Sequence, residues 1–268
     1  MSVNPPAEWN AGEYHRLSDP QFGWGLAVLE RLPLRGDETV LDAGCGSGRV
    51  TAHLLERLPR GRVIAADRSR NMLAAARALL APRFGARVTF VELDLQEFTL
   101  DRPVDVVFST ATFHWVLDHP RLFRTLHRAL VPGGRLHAQC GGGPNVARLR
   151  ARADVEIARP EFRASFAGFT DPWEFADAAT TAARLAAAGY TGVRTWLESA
   201  PVVLPDRDTY RAFLSTVTCA RWLERLDSDA LRERFLDRFV AAGATDEPPW
   251  SLDYVRLNLE AVRPAESA

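Results

Sequence analysis

Residues 40–51 read Val-Leu-Asp-Ala-Gly-Cys-Gly-Ser-Gly-Arg-Val-Thr, and this stretch decides the fold. An apolar run typical of a buried strand stops at Asp42, three glycines follow at alternate positions, and a helical pattern begins at Val50. Glycines at this spacing allow positive φ in a tight turn and let a ligand lie against the backbone. The next helix points its N-terminus, with its positive partial charge, into the same crevice. The stretch therefore predicts a nucleotide-type site at the first strand-to-helix turn of a doubly wound sheet.

Composition excludes several classes of protein. The 268 residues are 47% hydrophobic and 25% charged, as in an ordinary globular domain, and the net charge of −1 weighs against nucleic acid as a partner. We expect no membrane partner, because no apolar stretch reaches the length of a span and the first residues show no signal-peptide pattern. Three scattered cysteines indicate reduced thiols in a cytoplasmic protein, with no metal site. The absence of lysine rules out Schiff-base and P-loop lysine chemistry.

Strand-like and helix-like segments alternate from about residue 23 to 140, which predicts a parallel sheet with ligands at the carboxyl ends of the strands. A glycine run then breaks the rhythm, and a last alternating strand is predicted over Leu252–Val262. We interpret residues 1–268 as one domain in which helical insertions cap the carboxyl edge of the sheet. Its core covers about 23–140, 179–204 and 250–263, and its cap insertions cover about 141–178 and 205–249.

Two carboxylates at predicted strand ends favour a nucleoside ligand. Asp67 ends the second strand, where an acidic side chain can accept hydrogen bonds from both ribose hydroxyls. Asp94 ends the third strand with Leu95 beside it, and this pair could read an adenine edge through the carboxylate and a backbone N–H. The plain alternatives are a helix-capping aspartate at 67 and a solvated strand end at 94.

Four motifs in order carry a resemblance to the class I S-adenosylmethionine-dependent methyltransferases: residues 40–48, Ala-Asp-Arg-Ser-Arg-Asn-Met-Leu (66–73), Glu-Leu-Asp (92–94) and Leu-Val-Pro-Gly-Gly-Arg-Leu (130–136). The last strand resembles the reversed seventh strand of that family. Phe-His-Trp-Val-Leu-Asp-His (113–119) and Trp-Asn-Ala-Gly-Glu-Tyr-His (9–15) are most similar to the trans-aconitate methyltransferase group. Juvenile hormone acid methyltransferases and malonyl-carrier methyltransferases are similar as well.

The resemblance implies a Rossmann-like, seven-stranded, mostly parallel sheet with a reversed last strand, S-adenosyl-L-methionine as cofactor and a small-molecule acceptor. Asp67 would hold the ribose, Met72 would pack on the adenine, and Ser109 to Thr112 would line the methyl group. Arg68 departs from the usual apolar residue in its turn, which leaves the adenine packing open. The implied cofactor contacts are Gly44, Cys45, Gly46, Gly48, Asp67, Arg68, Met72, Asp94, Leu95, Ser109 and Tyr14.

The acceptor side offers His114 as a candidate base, with Trp115 and His15 as candidate acceptor-binding residues. The alternative for His114 is a hydrogen bond to the surrounding loop that shapes the pocket. A carboxylate acceptor needs no base at neutral pH, whereas a hydroxyl or carbon acid does. Carboxylate O-methylation is therefore the leading hypothesis, and O- or C-methylation with His114 as base is the alternative. A nicotinamide-dependent oxidoreductase and a non-catalytic cofactor-binding protein remain open from other classes.

Overall fold

A computed structural model describes residues 19–265, which form a seven-stranded sheet with helices on both faces. The strand order is β3-β2-β1-β4-β5-β9-β6, and β7 and β8 form a separate two-stranded ribbon. The strands are β1 Thr39–Ala43, β2 Arg62–Asp67, β3 Val88–Glu92, β4 Val104–Thr110, β5 Leu130–Gly141, β6 Thr191–Ser199, β7 Val202–Val203, β8 Ser251–Leu252 and β9 Val255–Val262.

Strands β1 to β5 run parallel, and β9 lies antiparallel between β5 and β6. The predicted mostly parallel sheet with a reversed last strand is confirmed. Chain connections diverge between β1 and β4, and such a switch point leaves a crevice at the carboxyl ends of the strands.

The fifth strand begins earlier than the sequence predicts. We expected a turn at Pro132-Gly133-Gly134 and a strand from Arg135, but β5 starts at Leu130. Leu130 pairs with Val104 and Arg135 with Val106, so a register shift takes up the residues between them. This irregular pairing keeps the turn-forming residues inside the strand.

The helices form the outer layers. They are α1 Asp19–Arg31, α2 Arg49–Glu56, α3 Arg70–Phe84, α4 His119–Ala129, α5 Ala147–Ile157, α6 Ala178–Ala187, α7 Arg207–Phe213, α8 Ala220–Leu223 and α9 Asp229–Gly243. Helices α1, α2 and α3 bury apolar side chains against one face of the sheet, and α4 and α6 cover the other. The predicted N-cap of α3 is confirmed, because the Ser69 hydroxyl accepts a hydrogen bond from the Met72 backbone N–H at 3.3 Å.

A third apolar cluster, here named the cap cluster, draws most of its residues from the two predicted insertions. Trp24 of α1 and Trp115 pack against it, so the cluster lies above the carboxyl edge of the sheet. Asp246, which is buried, joins the two insertions by accepting hydrogen bonds from Arg148 at 3.2 Å and from Arg152 at 2.5 Å. Within residues 19–265, no helix is long and apolar enough to cross a membrane.

Candidate cofactor and acceptor site

The turn after β1 is held by its backbone. The N–H groups of Gly44 and Cys45 both donate to the Ala66 carbonyl, at 2.8 and 2.9 Å, which ties the turn to the end of β2. Gly44 has φ of 86°, and a Cβ atom there would overlap the side chain of Thr112. Thr112 in turn donates from Oγ1 to the Gly44 carbonyl at 3.2 Å. Glycine is therefore the residue that fits at position 44.

Gly46 faces the crevice. A Cβ atom added to it would meet no heavy atom of residues 19–265 within 4 Å, so the backbone here borders space that this part of the chain leaves open. Gly48 precedes α2 in a left-handed conformation, and among the described residues no side chain caps that helix. A backbone cradle beside a helix N-terminus fits the polar end of a nucleoside cofactor, and in this respect the turn suits S-adenosylmethionine.

Asp67 organises the cradle. Its carboxylate accepts hydrogen bonds from the backbone N–H of Gly46 and of Ser69, each at 2.9 Å. Burial raises the pKa of Asp67, while these N–H groups and the Arg68 charge partly offset that rise. A carboxylate has about four acceptor positions, so two backbone donors leave room for ribose hydroxyls.

Asp42, beneath the turn, is a second buried carboxyl group. The Thr51 hydroxyl donates to it at 2.6 Å. Burial raises its pKa to about 7, the Thr51 hydrogen bond opposes this rise, and the Asp67 charge adds to it. The sequence identifies Asp42 only as the end of a strand, because burial and neighbouring charge depend on the fold.

The expected adenine side lies next to Asp67, since the Leu93 N–H donates to the Asp67 carbonyl at 3.2 Å. Met72 is buried at the start of α3, and Arg68 is exposed. Asp94 is also exposed and accepts a hydrogen bond from the Gln96 N–H at 2.9 Å.

The side chain of Leu95 belongs to the apolar core rather than to the crevice, and only its backbone is left to read an adenine edge. Ser109 is fully buried, and its hydroxyl donates to the Ala43 carbonyl at 2.6 Å. This bond ties the ends of β4 and β1 together. The expected cofactor contacts at Leu95 and Ser109 remain predictions, and backbone atoms of these two residues would make them.

His114 lies in a short 3-10 helix, Phe113–Trp115, that follows β4. Its Nδ1 accepts a hydrogen bond from the Gly141 N–H at 3.2 Å, which assigns the ring proton to Nε2. Burial, followed by the charges of Arg256 and His119, holds the pKa of His114 well below its ordinary value. The ring is therefore neutral, with one nitrogen engaged as an acceptor and the other a donor.

Aromatic rings from the cap cluster surround this histidine. Trp115 lies 5.3 Å from the His114 ring and 5.6 Å from Trp173, measured between ring centres. Trp173 stacks on Phe175, whose ring is also 5.7 Å from His114. Rings packed in this way exclude water from the space around them.

The rings of Trp115, Trp173 and Phe175 around His114 are named here the aromatic wall. Sequence reasoning missed its two cap residues, Trp173 and Phe175. The only available signal was a dense run of aromatic residues at 162–175, which does not show what the rings face. Tyr14 and His15, expected to bind the cofactor and the acceptor, lie outside the described residues.

The chain is similar in sequence to known methyltransferases. A family model described as a methyltransferase domain matches residues 40–134. A trans-aconitate 2-methyltransferase from Deinococcus radiodurans is 32% identical over 85% of this chain and 87% of its own length. A protein of the same name from Methylobacterium nodulans is 30% identical over 96% of this chain and 99% of its own.

Among solved structures, the phosphoethanolamine N-methyltransferase 2 of Haemonchus contortus, in complex with phosphomonomethylethanolamine and S-adenosylhomocysteine, superposes with a TM-score of 0.62. It is 18% identical, and the alignment covers 95% of this chain and 57% of that one. At this identity the likeness concerns the fold.

Proposed function

Because the chain belongs to the class I S-adenosylmethionine-dependent methyltransferases, within the family of the trans-aconitate 2-methyltransferases, we propose that it methylates a carboxylate oxygen of a small polycarboxylic acid. The family sets aside two alternatives, the nicotinamide-dependent oxidoreductase and the non-catalytic binding protein. The trans-aconitate named for two relatives is the first acceptor to test.

The observation that carries the proposal is the hydrogen bond from Gly141 to His114. It occupies the Nδ1 lone pair, and burial keeps the ring neutral with its proton on Nε2. A ring in this state donates a hydrogen bond but has no free lone pair with which to remove a proton. A carboxylate acceptor fits such a site, because it is already ionised at neutral pH and accepts from the Nε2–H.

When bound, S-adenosylmethionine would supply an activated methyl group, whose carbon bonds in line to an acceptor oxygen as the C–S bond breaks and S-adenosylhomocysteine leaves. The residues of this chain contribute alignment and exclusion of water rather than acid–base chemistry. The glycine turn and Asp67 would hold the cofactor, the Nε2–H of His114 would orient the acceptor, and the aromatic wall would keep water out. We infer that the cap insertions select the acceptor.

The alternative, methylation of a hydroxyl or carbon acid with His114 as base, requires the ring to release the Gly141 N–H first. That release would leave a buried backbone donor without its partner, at a cost of about 1–3 kcal/mol. The geometry therefore favours a carboxylate acceptor.

Purified protein with S-adenosylmethionine and trans-aconitate should yield a product heavier by one methyl group. Mild alkali should remove that group, because an ester hydrolyses and an ether or C-methyl does not. As controls, each polycarboxylic acid is tested beside an analogue that carries a hydroxyl group in place of a carboxylate. Methylation of the hydroxyl compounds alone, or an alkali-stable product, would overturn the proposal.

A further inference from the structure

A buried cation, Arg256, lies at the acceptor end of the sheet. Only 3% of this residue is exposed. It stands opposite Gly141 of β5 in the antiparallel pairing, and β9 starts where β5 ends. Arg256 is therefore placed at the same carboxyl edge as the Gly141 N–H that holds His114.

Neighbouring side chains fix the direction of the guanidinium. Its Cζ lies 4.6 Å from the centre of the Trp24 ring, and its Nε donates to Oε1 of Gln139 at 3.4 Å. The Gln139 amide donates in turn to Oδ1 of Asn258 at 2.8 Å, and Arg31 donates to the same oxygen at 2.6 Å. Gln139 and Asn258 are buried, so this chain of polar contacts forms a fixed support for Arg256.

The charge of Arg256 acts on the acceptor side of the site. It lowers the pKa of His114, second only to burial, and it also lowers the pKa of the Cys140 thiol against the larger effect of burial. Arg256 also pairs with Gly141, whose N–H holds the ring of His114, so both residues lie at this edge of the sheet. A planar guanidinium held by stacking is suited to bidentate binding of a carboxylate.

We propose that Arg256 binds a carboxylate of the acceptor other than the one that is methylated, and that Gln139 positions it. This proposal rests on the proposed function and sharpens it. The acceptor must then carry at least two carboxylates, one for the methyl group and one for the guanidinium. Arg256 becomes a specificity-determining residue for polycarboxylic acids.

Steady-state kinetics with trans-aconitate tests the role of Arg256. Arg256→Gln should raise the KM for the acid at least about thirtyfold, the effect expected for truncating one partner of a buried charge pair. Arg256→Lys, which keeps the charge and loses the planar fork, should fall between this variant and the wild type. Affinity for S-adenosylhomocysteine should stay within about twofold in both variants.

The matched control is Arg194→Gln. It removes an arginine from the same sheet at an exposed position of β6, where Arg194 pairs with Glu260. This variant should keep the wild-type KM for trans-aconitate. A rise in its KM would show that the loss of one positive charge is enough to weaken acceptor binding.

Gln139→Glu keeps the test decisive if Arg256→Gln does not fold. The new carboxylate would pair with the guanidinium from the position of the amide oxygen and compete with the acceptor. The KM should rise while the fold, followed by circular dichroism, persists. A merely structural role for Arg256 would not predict this rise.

The outcomes separate the two proposals. If the wild type methylates no polycarboxylic acid, the proposed function fails and this inference fails with it. If the wild type methylates trans-aconitate, but Arg256→Gln or, failing its folding, Gln139→Glu keeps the KM within about threefold, the inference alone is overturned.

Discussion

The proposed cofactor half and the proposed acceptor half of this site are built differently. On the cofactor side, backbone groups from Gly44 to Gly48 and one carboxylate, Asp67, form the cradle. On the acceptor side, side chains from distant parts of the chain converge, such as Trp24, Trp115 and Arg256. The first kind of site leaves a short pattern in the sequence, whereas the second exists only once the chain has folded.

The glycine turn offers the largest effect. Gly44→Ala should lower the free energy of unfolding by roughly 5 kcal/mol, because an alanine there overlaps Thr112 and is held at positive φ. Gly46→Ala, which points into open space, should fold with a loss of about 1–2 kcal/mol but bind S-adenosylhomocysteine weakly. Denaturant unfolding and calorimetric titration measure the two quantities.

Gly133→Ala is the control for positive φ alone, since Gly133 is exposed, has φ of 79° and faces open space. It should match Gly46→Ala in stability and the wild type in cofactor affinity. Equal stability of the Gly44→Ala and Gly46→Ala variants would contradict the packing described for the turn.

Asp42 gives a pH-dependent test of the cofactor side. Its folded-state pKa of about 7 lies above the ordinary value of 3.8, so its contribution to stability is complete below pH 4 and is lost as the pH rises through 7. The loss amounts to about 4 kcal/mol. Asp42→Asn, whose amide oxygen still accepts from Thr51, should remove this loss.

The measurement is the free energy of unfolding between pH 4 and 8. The difference between Asp42→Asn and the wild type should grow in favour of the variant over this range. Replacement of the exposed Asp101 by Asn serves as the control. A difference that stays constant with pH would show that Asp42 is ionised in the folded protein.

Asp67 tests whether the cradle holds a ribose. Asp67→Ala should weaken cofactor binding by roughly 1.5–3 kcal/mol, because the ribose hydroxyls lose their acceptor. Glu92→Ala is the matched control, since Glu92 pairs with Asp67 across β2 and β3 but is exposed. Unchanged cofactor affinity in a normally folded Asp67→Ala protein would show that the ribose binds elsewhere.

Replacement of His114 should have the smallest effect of these substitutions. His114→Gln keeps a hydrogen-bonding group and should slow turnover less than about tenfold, with a flat pH–rate profile near neutrality. The profile is flat because burial, then Arg256 and His119, keep the pKa of His114 far below that range. A fall of more than about a hundredfold with intact cofactor binding, together with the loss of a titration near pH 6–7, would establish His114 as a base.

What the sequence could predict follows the same division. The position of Asp67 at the end of β2 and the Ser69 cap were accessible because each depends on residues close in the chain. The reversed last strand was accessible through its resemblance to a known family. The roles of Ser109 and Leu95 were less accessible, because period and position do not show which way a side chain points. Arg256 had no signal beyond its place in an alternating strand.

The position of β9 has a consequence for how this protein folds. Gln139 and Asn258, which are hydrogen-bonded across β5 and β9, stand 119 positions apart in the chain. Pairing over such a separation is slow compared with the local units around β1, β2 and β3. During synthesis, the glycine turn can therefore form before β6 pairs with β9, its neighbour in the sheet. Arg256 lies in β9, so the nascent chain would form the proposed cofactor cradle first and the proposed acceptor site last.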